Sequence, residues 1–216
     1  MIAGIQMKVC GLRSVADAAA AAACGADYLG FNLYPQSPRH LSLAEYQAME
    51  ARLPAVKKVA VFVSPTPADL ALAAAVGFDY FQVHFPLETP TAMVGAWAET
   101  VGTSRLWLAP KLPPAADVPA DLLPMTLTFL LDTYHVDVFG GTGKTGDWSK
   151  FARHAQRHPE KTWILAGGLN PENIATAVTR SGARFVDVNS GVESAPGVKD
   201  AAKLKRFVAN LAVHRE

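Results

Sequence analysis

The sequence predicts an α/β fold of the (β/α)8 class, a TIM barrel, formed by a single domain that spans residues 1–216. Short runs of apolar and β-branched residues alternate with longer segments rich in Ala, Leu and charged residues, and this alternation occurs eight times. Several of the short runs are apolar almost throughout, which is typical of parallel strands buried on both faces. A doubly wound open sheet produces the same alternation and is the alternative fold.

Eight segments are predicted to be strands because they are short, apolar and rich in β-branched or aromatic residues. They are 5–10, 27–33, 56–63, 79–84, 105–109, 127–132, 162–167 and 184–189. The segments predicted to be helices are 14–24, 42–52, 67–76, 89–100, 148–157, 171–180 and 199–212. The connection at 110–126 contains five prolines, so it allows at most a short helix.

Turn residues agree with these elements at three helix ends. Ser42 precedes the second helix and Glu45 follows three residues later, which is the spacing of a capping box. Gly25 follows the first helix, where a glycine commonly ends a helix. Asn170 stands before Pro171, which predicts a capping residue followed by proline at the first helical position.

Composition argues against several kinds of partner and compartment. The net charge of +1 gives no electrostatic footprint for DNA, RNA or an anionic membrane. Two cysteines are few for a secreted disulfide framework and favour free thiols in a reducing compartment. The N-terminal residues do not read as a signal peptide, and the Ala-rich stretch at 15–25 is far shorter than a bilayer span. We therefore expect a soluble cytoplasmic protein.

The stretch FGGTGKT at 139–145 ends like a nucleotide-binding P-loop but does not match one. A P-loop requires G-x-x-x-x-G-K-[ST] directly after a strand, and Val138 occupies the position of the first glycine. The preceding strand also ends too early, at Asp132. The stretch is then either a plain surface loop or a mobile loop at the barrel mouth. The second interpretation is favoured and makes Gly141 and Gly143 ligand contacts.

Small residues follow each of the last two predicted strands. In barrel enzymes the loops after strands seven and eight often hold a phosphate, because glycines expose backbone N–H groups there and a helix N-terminus adds a positive dipole. The alternative is that these glycines only form tight turns. We expect a phosphate site made by Gly167, Gly168, Asn189, Ser190 and Gly191.

Two ionisable side chains end strands on the side where barrel active sites form. Cys10 ends strand one and Asp132 ends strand six, and these strands lie nearly opposite each other in an eight-strand ring. A thiol needs a nearby cation to act as a base, and Lys8 shares the face of Cys10 by period-two alternation. A carboxyl beside an apolar wall has a disfavoured charged form, which suits a general acid. The alternatives are a cysteine that only packs and an aspartate that only caps a turn.

Other polar residues give weaker signals. Arg39, in the loop after strand two, is either a bidentate anchor for a substrate carboxylate or a solvated side chain. His84 ends strand four and either lines the barrel mouth or is a satisfied polar residue. His154 and His158 have helical spacing but lack the glutamate of an HExxH site, so no metal site is predicted. Cys24 ends an Ala-rich helix and is predicted to pack only.

Taken together, these stretches resemble the phosphoribosylanthranilate isomerase family, barrel enzymes of tryptophan biosynthesis. The resemblance covers nearly the whole chain, and its motifs occur in the family's order. The matching stretches are KVCG (8–11), GADYLGFNLYPQSPRHLS (25–42), VAVFV (59–63), QVH (82–84), LLDT (130–133), FGGTGKTGDW (139–148), LAGGLNPENI (165–174) and VDVNSGVESAPGVKD (186–200).

The resemblance implies an Amadori rearrangement without a cofactor or a metal. Asp132 then acts as the general acid at the ribose ring oxygen, and Cys10 as the general base at the sugar C2. Arg39 matches the family position that anchors the anthranilate carboxylate. The glycine turns after strands seven and eight match the family's phosphate site, and a monomer or a homodimer is expected.

The chain departs from the family pattern at a few positions. Phe85 stands where a glycine usually follows the histidine of strand four, with Pro86 and Leu87 in place of an acidic pair. Gly146 replaces an aromatic residue, and strand five ends in LAPK. Two other functions are the alternatives: another sugar-phosphate isomerase, such as that of histidine biosynthesis, and a non-catalytic phosphate-binding module. The first would be expected to have an aspartate where this chain has Cys10.

Overall fold

Eight parallel strands close into a ring in the computed structural model, which describes residues 1–132 and 147–213. The strands follow chain order around the ring, and β8 pairs with β1 to close it. This closure confirms the predicted barrel and excludes the open sheet, which would leave two unpaired edges. The strands are β1 (Gln6–Val9), β2 (Tyr28–Asn32), β3 (Lys57–Val63), β4 (Tyr80–Pro86), β5 (Leu106–Lys111), β6 (Thr128–Leu131), β7 (Thr162–Leu165) and β8 (Phe185–Val188).

Helices surround the ring, and each predicted helix is present within the described residues. The Pro-rich connection after β5 forms only a 3-10 helix, Ala120–Met125, as expected. A hairpin that was not predicted, β9 (Glu193–Ala195) with β10 (Val198–Lys199), follows β8. No helix in the described ranges is long and apolar enough to cross a membrane. The helices are α1 (Val15–Ala23), α2 (Leu43–Glu50), α3 (Pro67–Ala75), α4 (Thr91–Val101), α5 (Trp148–Arg157), α6 (Ile174–Ser181) and α7 (Ala201–Ala212).

Two of the three predicted helix ends are confirmed. Ser42 and Glu45 form the reciprocal hydrogen bonds of a capping box at α2, and Gly25 follows α1 with φ of +89°. The third predicted end is one turn too early, because α6 begins at Ile174. The side chain of Asn170 instead caps the turn that precedes α6, accepting from the N–H groups of residues 172 and 173.

The inner face of the ring is closed at its N-terminal end by four packed aromatic rings. Their centroids lie 4.9 to 5.6 Å apart, in stacked, tilted and edge-on pairs. Because side chains alternate between the two faces of a strand, the next inward positions lie two residues further along each strand. In β4 and β8 these positions hold Gln82 and Asp187, which line the cavity at the C-terminal end. The four aromatic residues are Tyr28, Tyr80, Trp107 and Phe185.

Candidate active site

A cavity of about 350 Å³ opens at the C-terminal ends of the strands. It brings together most of the predicted site residues. Gly191 lies behind its wall, packed against the main chain of Leu169 and Asn170. The predictions for Gly141 and Gly143 fall outside the described residues. The predicted residues that line the cavity are Cys10, Arg39, His84, Asp132, Gly167, Gly168, Asn189 and Ser190.

Cys10 and Asp132 reach the same cavity because each occupies the next inward-facing position, two residues after an inward-facing residue of its strand. Cys10 lies two residues after the inward-facing Lys8 and is 5% exposed. Asp132 lies two residues after Leu130, which packs in the inner core, and its side chain is partly buried. Period-two alternation therefore carries both groups to the rim of the ring from strands that are three apart. The thiol and the carboxyl therefore line the same cavity.

A buried ion pair lies beside the thiol, one layer deeper in the barrel. Nζ of Lys8 donates to Oδ2 of Asp187 at 3.0 Å, and the two side chains are 0% and 9% exposed. Asp187 also lines the cavity, and its second oxygen, Oδ1, has no hydrogen-bond partner among the described residues. Sequence reasoning missed Asp187. Its position two residues before Asn189, on the same face of β8, was the available signal.

The charges around Cys10 act in opposite directions on its ionisation. Burial raises the pKa of the thiol above its ordinary value, and the carboxylate of Asp187 acts in the same direction. The ammonium groups of Lys8 and Lys199 oppose this rise, because they stabilise a thiolate. The lysine predicted to share the face of Cys10 is thus in place, but it does not outweigh the loss of hydration.

Gly30 in β2 leaves the space that Lys8 and Cys10 occupy. A Cβ atom at this position would lie 2.8 Å from Cε of Lys8, 3.0 Å from Sγ of Cys10 and 3.1 Å from its Cα. Real Cβ atoms seldom approach this closely, and neither a fully buried lysine nor a backbone atom moves easily. Only glycine therefore lets the thiol and the ammonium lie side by side inside the ring.

We expect Gly30→Ala to lower the free energy of unfolding by about 1–3 kcal/mol, as overpacking of a closed core does. Urea unfolding followed by circular dichroism measures this change. Gly95→Ala in α4 is the matched control, since a Cβ atom there meets nothing within 4 Å. It is expected to stabilise the helix by about 0.5–1 kcal/mol. Equal stabilities of the two variants would contradict the crowding at Gly30.

Arg39 is held by a carboxylate that sequence reasoning did not identify. Its Nε donates to Oε1 and Oε2 of Glu193 at 3.0 and 3.1 Å, and its Nη2 donates to Oε2 at 2.7 Å. Burial alone would raise the pKa of Glu193, but hydrogen bonds and charge from Arg39 and Lys199 hold it below its usual range. The guanidinium of Arg39 is therefore fixed at the edge of the cavity, rather than solvated.

His84 lines the cavity as a neutral imidazole. Burial lowers its pKa to about 4, and the charge of Lys8 acts in the same direction. The side-chain amide of Gln82 lies 2.8 Å from Nε2 of His84. A neutral imidazole carries one donor and one acceptor nitrogen, so it can pair with this amide and keep its other nitrogen for a second partner. His84 can thus exchange hydrogen bonds with a ligand without adding charge at neutral pH.

The turn after β7 presents backbone amides to the cavity. Gly167 and Gly168 have φ of +91° and +62°, a region that glycine enters without strain. Neither amide N–H has an acceptor among the described residues. Asn173 fixes the turn from behind by donating to the carbonyl of Gly168 at 2.9 Å. Two such amides in one turn form a suitable anion site.

Two of the departures from the family pattern lie away from the cavity or outside the described residues. Phe85 is 1% exposed and packs edge-on against Trp97 of α4, with ring centroids 5.4 Å apart. The following helix forms as predicted, and Phe85 packs in the outer layer rather than in the cavity lining. Gly146 lies outside the described residues. β5 continues through the LAPK stretch to Lys111.

A closed ring of parallel strands, with a thiol, a carboxyl and an anion turn at its C-terminal mouth, defines an α/β-barrel enzyme that acts on a small molecule. Comparison of the chain with known proteins identifies the family of barrel enzymes to which it belongs. The chain belongs to the N-(5'-phosphoribosyl)anthranilate isomerase family, because the model of that family matches residues 7–210. The resemblance read from the sequence motifs is thereby confirmed.

Relatives of known name agree over nearly the whole chain. The N-(5'-phosphoribosyl)anthranilate isomerase of Cereibacter sphaeroides is 40% identical over 215 residues, covering 96% of this chain and 98% of that protein. The crystal structure of the Thermus thermophilus enzyme has a TM-score of 0.80 at 31% identity, covering 98% of this chain and all of that one. A second structure, also 31% identical, is a complex with reduced 1-(o-carboxyphenylamino)-1-deoxyribulose 5-phosphate. Its TM-score is 0.74, with 96% of this chain and 98% of that one covered.

Proposed function

We propose that this protein isomerises N-(5'-phosphoribosyl)anthranilate to 1-(2-carboxyphenylamino)-1-deoxyribulose 5-phosphate, with Asp132 as the general acid and Cys10 as the general base. The observation that carries this proposal is that the two side chains line one cavity from opposite parts of the ring. Membership of the isomerase family supplies the substrate class. The proposed setting is tryptophan biosynthesis in the cytoplasm.

The proposed acid and base act at two atoms that are both bonded to C1 of the sugar, namely the ring oxygen and C2. Asp132 gives a proton to the ribose ring oxygen as the bond from C1 to that oxygen breaks, which leaves a cationic Schiff base at C1. Cys10, as the thiolate, then removes the proton from C2, because the adjacent cation acidifies it. The electron pair of the C2–H bond forms the C1–C2 double bond and neutralises the nitrogen. The enolamine loses its O2 proton and gains one at C1, giving the ketone.

Two anionic ends of the substrate orient it across the mouth. The anthranilate carboxylate pairs with Arg39. The phosphate binds where the turns after β7 and β8 meet, and the partly buried His84 completes the wall as a neutral hydrogen-bond partner. Gly141 and Gly143, which lie outside the described residues, are proposed as further substrate contacts. The residues proposed for the phosphate are Gly167, Gly168, Asn189, Ser190 and Gly191.

The fluorescence of freshly prepared phosphoribosylanthranilate tests this proposal. Purified protein is expected to remove the fluorescence rapidly, because the product is no longer the fluorescent anthranilate glycosylamine. The spontaneous loss is subtracted with a blank that contains no protein. A decay rate equal to that of the blank, at micromolar protein and neutral pH, would reject the isomerase assignment.

A further inference from the structure

Glu193 is a buried carboxylate that no step of the proposed reaction uses. It is the first residue of β9, directly after the turn that follows β8, and its side chain is 4% exposed. A glutamate is seldom buried this deeply without partners, because removal of its hydration is costly. Its most direct partner is Arg39, which lies 154 residues earlier in the chain and lines the cavity.

The geometry of this pair leaves one side of the guanidinium for a ligand. A guanidinium can grip a carboxylate by the edge that carries Nε and one Nη, or by the edge that carries both Nη atoms. Glu193 occupies the first edge of Arg39, through Nε and Nη2. Nη1 of Arg39 has no acceptor among the described residues, and the side chain is 12% exposed, at the cavity wall.

The carboxylate of Glu193 is itself fixed from its other side. Oε1 accepts from Nζ of Lys199 at 2.8 Å and from the N–H of Gly197 at 3.1 Å. Lys199 in turn donates to Oδ1 of Asn189 at 3.0 Å. One carboxylate is therefore shared by two cations, so the cluster keeps a net positive charge. Arg39 retains the charge it needs to attract an anion, although it already has a partner.

Space at this point of the mouth is kept by another glycine. Gly11, directly after Cys10, has φ of +72°, and a Cβ atom there would lie 2.8 Å from Cδ of Arg39 and 2.5 Å from Oδ1 of Asn189. The stem of Arg39 is thus confined by the chain beside the thiol, while its head is confined by Glu193. Both constraints point the same guanidinium toward the same cavity.

We propose that Glu193 is a positioning residue that holds Arg39 with its open edge toward the cavity, where that edge binds the carboxylate of the substrate. The inference rests on the proposed function, because it takes the aromatic carboxylate as the group that Arg39 binds. Glu193 acts only through Arg39, so its removal affects substrate binding more than the proton transfers. A role limited to anchoring the β9–β10 hairpin would have no such selectivity.

A double-mutant cycle tests this selectivity. Glu193→Gln keeps the shape of the side chain but removes the charge, and we expect kcat/KM to fall about 10- to 100-fold, mainly through KM. In an Arg39→Ala background the same substitution should change kcat/KM by less than about twofold, since the residue it acts through is absent. Equal losses in the two backgrounds would overturn the proposal and leave a general structural role.

A matched control and a second variant keep the test informative. Glu172→Gln breaks an exposed Glu–Arg pair, with Arg206 at 2.7 Å, and should leave KM unchanged. Glu193→Asp keeps the buried charge, so it should fold even if Glu193→Gln does not. Because its shorter side chain cannot hold both edge atoms of Arg39, KM should still rise. An unchanged KM in Glu193→Asp would overturn the proposal.

Inhibitors separate this inference from the proposed function. Anthranilate as a competitive inhibitor should bind at least about tenfold more weakly to Glu193→Gln, whereas inhibition by ribose 5-phosphate should change less than about twofold. Equal weakening of both inhibitors would overturn the positioning role. If Arg39→Ala itself left KM and anthranilate inhibition unchanged, the proposed carboxylate anchor would fail, and this inference with it. If only the Glu193 variants were without effect, the anchor would stand and this inference alone would fail.

Discussion

Asp132→Asn is expected to lower kcat by about 10²- to 10⁴-fold, the range typical of a lost general acid. Asparagine has nearly the same shape but cannot give up a proton, so the furanose ring opens without assistance at the oxygen. Because ring opening precedes every other step, no later group can compensate for this loss. Stopped-flow and steady-state assays of fluorescence loss, at saturating substrate, measure the change in kcat.

The controls for this variant distinguish chemistry from folding. Asp132 is only partly buried at the end of β6, so the barrel should form normally and the far-ultraviolet circular dichroism should match that of the wild type. Asp17→Asn, in the first turn of α1 and outside the cavity, is the matched substitution and should retain full activity. Activity of Asp132→Asn within about tenfold of the wild type would reject Asp132 as the acid.

The fold was predictable because its signal is local and repeated. An apolar stretch such as 127–132 predicts a strand from its own residues alone. Eight such strands that alternate with helices are compatible with only a few folds. The predictions were wrong where one local sequence motif is compatible with two local structures. Asn170 and Pro171 fit the start of a helix and equally fit the capped turn that precedes α6. The β9–β10 hairpin has strands of only three and two residues, too short for periodicity to appear.

The site was predictable only where a residue's place in its strand determines its role. Cys10 and Asp132 follow inward positions at strand ends, so barrel geometry alone sends them to the mouth. The ion pairs that surround the cavity were not predictable. Lys8 and Asp187 are 179 residues apart in the chain, and Arg39 and Glu193 are 154 apart. Such pairs form only when the ring closes, and without an alignment nothing in one sequence couples them.

The thiol is the group whose environment most constrains the proposed chemistry. Cys10 must be a thiolate to accept the C2 proton, yet burial raises its pKa and Asp187 adds to this effect. Lys8 and Lys199 work in the opposite direction, without reversing the net rise. When the pKa of a thiol is raised, only a small fraction of it is thiolate at neutral pH, but that thiolate is a stronger base. The activity should therefore depend on pH through the ionisation of this thiol.

We expect kcat/KM of the wild type to keep rising with pH through and beyond about 8.5, where an ordinary thiol titrates, because the thiolate fraction grows only as the raised pKa is approached. Cys10→Ser should lower kcat/KM by about 10²- to 10⁴-fold and remove this ascending limb, since a serine hydroxyl does not ionise in that range. Cys24→Ser, at the end of α1 and outside the cavity, should preserve both the rate and the limb. The measurement is a pH profile of kcat/KM from 6 to 10 for the three proteins. An ascending limb that persists in Cys10→Ser would assign the titration to another group and reject the thiol as the base.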